Sequence, residues 1–325
     1  MSREERRNDS SKTSWDTCRQ RIYERECLAK GGKAGNCTSA YGAAAKVERD
    51  CGLSVRRPST IYESSMCELL GMNCNVPTDI NFSFAGFRQR GGRTGPHRDG
   101  WGIAFYEGRG ARLFHDVMPS VASEIARFVE QYPIKSMNVI AHIRRRTRSR
   151  VCVENTHPFQ RELWGRTWVF AHNGYVSGIK RKPLRFYAPI GTTDSEHAFC
   201  YILDAVRRRF HEPPSPAKLH RLIESLAGEI AAYGRFNFLM CDARHLYAYS
   251  TNKLCWLQRR APFARAALVD ADLEVDFSRH TTPGDKVVVV ATRPLTNNEA
   301  WHPCRPGELC VFGNGKPIRI GSSDV

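Results

Sequence analysis

With 325 residues and 41% hydrophobic content, the chain carries enough apolar material for a large buried core. Its longest apolar runs, such as Ala198 to Leu203 and Val287 to Ala291, fall well short of the roughly 18 residues that cross a bilayer, and its first thirty residues interleave charges with no hydrophobic leader core, so the expectation is a cytoplasmic protein with no membrane partner. The net charge of +16 raises the question of nucleic acid, but no zinc finger, RNA-recognition aromatic signature or basic zipper accompanies it, and nucleic acid is not expected as a partner.

Residues 1–65 are polar, rich in Ser, Gly and charge, and lack a sustained strand or helix period, which predicts a poorly ordered extension. Met66 opens a better-patterned segment running to residue 325. Trp101–Tyr106 and Ala111–His115, joined by the Gly-bearing Glu107 to Gly110, read as a hairpin. Ser123–Gln131 has Ile125, Phe128 and Val129 at helical spacing and ends before Pro133. Met137–Ile143 and Thr167–Ala171 read as short strands that each run into a polar cluster, a placement that puts functional side chains at strand ends. Helices over Asp194–Phe210 and Pro216–Tyr233 follow. Strands then return at Phe236–Asp242, Leu246–Ser250, Leu254–Gln258, Lys286–Ala291 and Leu309–Phe312. Strands, paired helices and more strands argue against a regular βαβ alternation and for a sheet-on-sheet core covered by helices, an α+β fold.

Four clusters carry possible chemistry. Cys67 follows an internal Met66; if it becomes the first residue, its thiol and its free α-amine share one residue, and an amine titrating near neutrality can act as the local base for that nucleophile. His142-Ile143-Arg144, with Thr147 close behind, ends a strand, and an arginine there offers a planar fork suited to a carboxylate. His172-Asn173-Gly174 supplies an amide and a close-approaching backbone N–H, the material of an oxyanion hole, although Asn-Gly is also the commonest hairpin turn. Thr192-Thr193-Asp194-Ser195-Glu196 opens a helix; Thr193 and Glu196 fit a capping box, which leaves Asp194 unexplained. Read singly, each has an ordinary structural explanation.

Their conjunction and order are specific. Met-Cys at 66–67, His-x-Arg at 142–144 with Thr147, Asn-Thr-His-Pro-Phe at 155–159, His-Asn-Gly at 172–174 and Thr-Asp-Ser-Glu at 193–196 resemble the class II glutamine amidotransferases, members of the N-terminal nucleophile hydrolases. The stretches 67–72, 91–102 and 162–166 are similar to the stand-alone bacterial branch of that family. The resemblance implies a four-layer αββα sandwich over residues 66–325. It implies Cys67 as nucleophile with its α-amine as base, Asn173 and Gly174 receiving the oxyanion, Arg144 on the substrate α-carboxylate and Asp194 on its α-ammonium, with Thr147, His157 and His172 in support. The implied substrate is glutamine or a related γ-glutamyl compound, opened through a γ-glutamyl thioester; a separate ammonia-accepting subunit is a candidate partner.

The twelve cysteines are dispersed with no Cys-x-x-Cys pair, so reduced thiols and no zinc site are expected, and no cluster suggests a cofactor. Arg145, Arg146 and Ser149 depart from the family pattern around the clamp. The extension departs further, because with it attached the Cys67 nitrogen is an amide and the intact chain is expected to be inactive. Met66 as the true start, removal of residues 1–65 as a propeptide, and a catalytically silent binding module are the three accounts; the first is favoured because a methionine stands where a start codon would expose the cysteine. Within enzymes the alternative is a γ-glutamyl peptide or amide hydrolase.

Overall fold

The computed structural model describes residues 66–147, 149–321 and 323–324; the reading of residues 1–65 as a poorly ordered extension lies outside them. In chain order the elements are β1 (Glu68–Thr78), α1 (Asn81–Gln89), β2 (Trp101–Glu107), β3 (Gly110–Asp116), α2 (Glu124–Gln131), β4 (Ser136–Ile143), β5 (Phe159–Leu163) and β6 (Arg166–Val176). The helices α3 (Asp194–Arg209) and α4 (Pro216–Ala231) follow. The second half contains β7 (Gly234–Cys241), β8 (Leu246–Ser250), β9 (Cys255–Arg260), β10 (Arg265–Ala267), β11 (Glu274–Asp276) and β12 (Lys286–Ala291). It ends in β13 (His302–Pro303), β14 (Glu308–Gly313), β15 (Lys316–Ile320) and β16 (Ser323–Asp324).

Two seven-stranded sheets carry the structure, one ordered β13-β9-β12-β1-β4-β2-β3 and the other β16-β15-β14-β8-β7-β6-β5, with β10 and β11 as a separate pair. Strand β12, Lys-Val-Val-Val-Val-Ala, shows why the sheets sit inside: it is buried at every position after the first, as a strand covered on both faces must be. Val288 and Val290 point into the core between the sheets with Leu69, Ile140, Ala171 and Leu239. Val287, Val289 and Ala291 join the core beneath α1 and α2. A third core lies between the second sheet and α3 with α4, built on Phe170, Phe199, Ile223 and Phe238. The layers therefore run helix, sheet, sheet, helix, the αββα sandwich that the sequence implied.

Three local findings refine the sequence reading. Asn173-Gly174 is not a hairpin turn: β6 continues through it to Val176, with Asn173 opposite Asn237 and Gly174 opposite Phe236 on β7. Thr193 does cap α3, accepting from Glu196 N at 3.1 Å. The Glu196 carboxylate does not return the bond, and instead accepts from Ile190 N, Gly191 N and Arg161 Nη2, tying the preceding loop to the helix. Helix α1, Asn-Phe-Ser-Phe-Ala-Gly-Phe-Arg-Gln, escapes a periodicity reading because Phe82, Phe84 and Phe87 mix strand and helix spacing around a helix-weakening Gly86.

Candidate active site

Register brings the site together. Glu68 pairs with Ile143 across β1 and β4, so the residues just outside those strands, Cys67 and Arg144, stand side by side at one end of the first sheet. From the second sheet β6 contributes His172 to Gly174, and the N-terminus of α3 contributes Asp194. One cavity is lined by Cys67, Arg144, Thr147, His157, His172, Gly174 and Asp194, seven of the eight residues singled out from sequence. The eighth, Asn173, does not line it; its Nδ2 donates to the main-chain carbonyl of Cys67.

The Cys67 thiol donates to Arg145 O at 3.4 Å, and Arg145 N donates to Sγ at 3.2 Å. Burial pushes this thiol up to about 11, against the smaller lowering effects of the Arg145 N–H and the Arg144 charge. At neutral pH the sulfur is therefore a thiol, and a nucleophile here needs a base.

Arg144 is 3% exposed, with Nη2 donating to Ser149 Oγ at 2.7 Å and Arg150 O at 3.0 Å. Among the described residues it pairs with no carboxylate. Asp194 is its counterpart in sign, with Oδ2 accepting from Val176 N at 2.8 Å and Oδ1 from Ser195 N at 3.0 Å. Thr147 is exposed at the rim.

Three buried imidazoles lie together, His157 and His172 lining the cavity and His142 packed against His157. His172 Nδ1 lies 2.8 Å from Ser195 Oγ and its Nε2 3.1 Å from Arg235 O, so Nε2–H donates to the carbonyl and Nδ1 accepts from the hydroxyl. The His157 ring stands 4.3 Å from that of His142, and neither nitrogen of His157 has a hydrogen-bond partner. Burial holds His142 and His157 well below the usual histidine range and His172 below it, so all three are neutral at neutral pH. Among the described residues the hydrogen bonds of Sγ go to Arg145 and to none of these rings.

Gly174 has φ of 150°, and a Cβ there would come within 1.9 Å of Arg235 O, so only glycine lets β6 pass β7 this closely. Behind it, fully buried Asn237 donates through Nδ2 to Asn173 O at 3.1 Å and to Asn252 Oδ1 at 2.9 Å, while its Oδ1 accepts from Thr251 N at 2.9 Å. That buckle fixes the Asn173-Gly174 strand against the 251–253 turn. Sequence reasoning gave no role to Asn237, Ser195 or His97: Ser195 and His97 stood inside quoted stretches, 193–196 and 91–102, whereas Asn237, whose partner Asn173 is 64 residues away, carried no signal.

A family model described as glutamine amidotransferases class-II matches residues 66–325. "Putative glutamine amidotransferase YafJ" of Escherichia coli strain K12 is 53% identical over 254 residues, covering 78% of this chain and 100% of that protein. The crystal structure of a predicted glutamine amidotransferase from Pseudomonas aeruginosa PA01 is 46% identical, with TM-score 0.63, over 78% of this chain and 100% of its own. The glutamine phosphoribosylpyrophosphate amidotransferase of Bacillus subtilis, 15% identical with TM-score 0.50 over 79% of this chain and 50% of that one, shares the fold alone. In the described residues no helix is long and apolar enough to cross a membrane. With its αββα layers and a family match over most of its length, the chain belongs to the class II glutamine amidotransferases.

Proposed function

We propose that this protein hydrolyses the γ-amide of glutamine through a γ-glutamyl thioester on Cys67, in a mature chain that begins at that residue. The observation that carries the reading is the convergence of a half-buried thiol, an arginine that pairs with no carboxylate among the described residues and an aspartate held by backbone N–H groups on one cavity. Arg144 takes the α-carboxylate and Asp194 the α-ammonium, which fixes a zwitterionic amino acid by both ends and aims its side chain at Sγ. The free α-amine of Cys67 accepts the thiol proton as sulfur attacks the amide carbon. Asn173 Nδ2 and Gly174 N–H receive the oxyanion. The ammonium then gives its proton to the leaving nitrogen, ammonia departs, and water releases glutamate from the thioester. Thr147, His157 and His172 shape the cavity around these steps.

The E. coli relative is matched along its whole length by 78% of this chain, and the family match starts at Met66, which supports residues 66–325 as a self-sufficient unit. We assign Met66 as the start of the active protein, with its methionine trimmed. The test is the intact mass and N-terminal residue of protein made from its native upstream DNA, followed by glutamate release from glutamine. A chain starting at Cys67 whose activity disappears in Cys67→Ala is the expected result; a Cys67-initiated chain that releases no glutamate from glutamine contradicts the reading.

A further inference from the structure

The ring of His97, in the loop between α1 and β2, is 3% exposed, and both its nitrogens face carbonyl oxygens. Nδ1 lies 3.2 Å from Arg90 O and Nε2 lies 2.5 Å from Met66 O. A neutral imidazole has one N–H and one lone pair, so it serves one carbonyl and requires a donor at its other nitrogen. Arg90 is fixed: its fully buried guanidinium bonds Asp270 at 2.7 Å, Glu68 at 3.0 Å and Pro294 O at 2.6 Å. With residue 66 attached, Arg90 O and Met66 O compete for that single N–H; once Met66 is removed, Arg90 O is the carbonyl that remains, so the proton rests on Nδ1 and the Nε2 lone pair faces the position the Met66 oxygen had held.

The fitting partner at Nε2 is an N–H donor. The Cys67 nitrogen is bonded to the same carbonyl carbon as the Met66 oxygen, about 2.3 Å from that oxygen by ordinary peptide geometry. While residue 66 is attached, that nitrogen is a planar amide with one fixed hydrogen. In a chain beginning at Cys67 it carries two or three hydrogens on a freely rotating bond.

We propose that His97 is the positioning residue for the Cys67 α-amine. With Nδ1–H anchored on Arg90 O, Nε2 accepts an N–H of the free amine, directly or through one water, and turns the amine's remaining lone pair toward Sγ. The inference rests on the reading of Cys67 as an N-terminal nucleophile and supplies what that reading lacks, a group that orients the base. During turnover the amine takes the Sγ proton as the sulfur–carbon bond forms, and later delivers it to the leaving nitrogen as the carbon–nitrogen bond breaks. A neutral acceptor at Nε2 favours the ammonium that holds the proton between those two events. His97 does not line the substrate cavity, so it has no part in binding glutamine.

The test uses the chain beginning at Cys67, as wild type, His97→Ala and His97→Gln, with Glu68, Arg90, Asp99, His142, Arg144, Arg145 and Arg293 around the amine common to all three. The α-amine is titrated by NMR with labelled cysteine, and kcat and KM for glutamine are followed against pH. In His97→Ala the amine is expected to hold its proton about tenfold more weakly, one unit lower in pH. The acid limb of kcat should move with it, kcat should drop about tenfold with KM unchanged, and His97→Gln, which keeps an acceptor, should recover most of the loss. If the alanine chain does not fold, His97→Phe keeps the ring shape and removes both nitrogens. An amine that titrates identically with and without the imidazole overturns the proposal, as does a loss confined to KM. A wild-type chain inactive on glutamine would sink the glutaminase reading alone, since the amine titration still decides the role of His97.

Discussion

Charge is handled differently on the two sides of the cavity. On the nucleophile side, Glu68, the residue after Cys67, is buried between Arg90 and Arg293, and Arg90 also holds Asp270. On the clamp side, Arg144 is held by a hydroxyl and carbonyl oxygens, and Asp194 by two backbone N–H groups. Charges that build the frame neutralise one another, whereas the charges offered to a substrate are oriented by neutral dipoles and keep their Coulombic reach. A buried ion has a large desolvation penalty unless it is paired, and the cavity arginine that pairs with no carboxylate among the described residues is the basis of the proposed clamp.

Breaking the frame should produce the largest effect. Arg90→Met leaves Asp270 without its cation and Glu68 with Arg293 alone, and urea denaturation should show a loss of about 3–5 kcal/mol; a loss under about 1 kcal/mol would mean that the network does not brace β1. Next comes the oxyanion corner. Asn173→Ala should lower kcat about 10²- to 10³-fold while KM changes little, and an unchanged kcat would remove Asn173 from the machinery. On the clamp, Arg144→Lys keeps the charge but loses the planar fork, so KM for glutamine should rise about tenfold or more, from about 1.5–3 kcal/mol of charged hydrogen bonding. Its stability should stay near wild type, in contrast to Arg90→Met, and equal destabilisation of both variants would erase the distinction between frame and clamp.

Residue for residue, the smallest effect is the pH dependence of the three buried histidines. His142, His157 and His172 sit below their ordinary value because burial disfavours the charged ring. Below the unfolded value of about 6.5 the unfolded chain binds protons that the folded chain refuses, so stability must fall as pH falls. Each histidine should contribute about 1.4 kcal/mol per pH unit until its folded ring protonates. Denaturation midpoints at pH 7, 6 and 5 check the slope, and His157→Phe should make it shallower by one histidine's share.

The same division explains what sequence revealed. The layer order and most strands were legible because buried runs such as Val287–Ala291 and the amphipathic face of α4 are local signals. The residues proposed as clamp and oxyanion hole were visible because each belongs to a short motif, Arg144 just past a strand, Asp194 at a helix start, and Asn173 and Gly174 inside β6. The frame was not. Glu68 and Arg293 are 225 positions apart and Asn173 and Asn237 are 64 apart, and no local pattern marks such pairs. Asn173-Gly174 reads as a turn by its own grammar and becomes strand because eight consecutive residues of β6 pair with β7, a long-range ladder overriding a two-residue preference.

The central claim is that the α-amine of Cys67 is the base, and one matched pair of proteins tests it directly: the chain beginning at Cys67 and the same chain with a single glycine ahead of it. The sulfur, clamp and oxyanion donors are identical in both, and only the amine becomes an amide. The account predicts glutamate release from glutamine by the first and a loss of at least about 10²-fold in kcat by the second, the scale of a missing general base. Equal turnover by the two proteins would contradict it and place the base elsewhere.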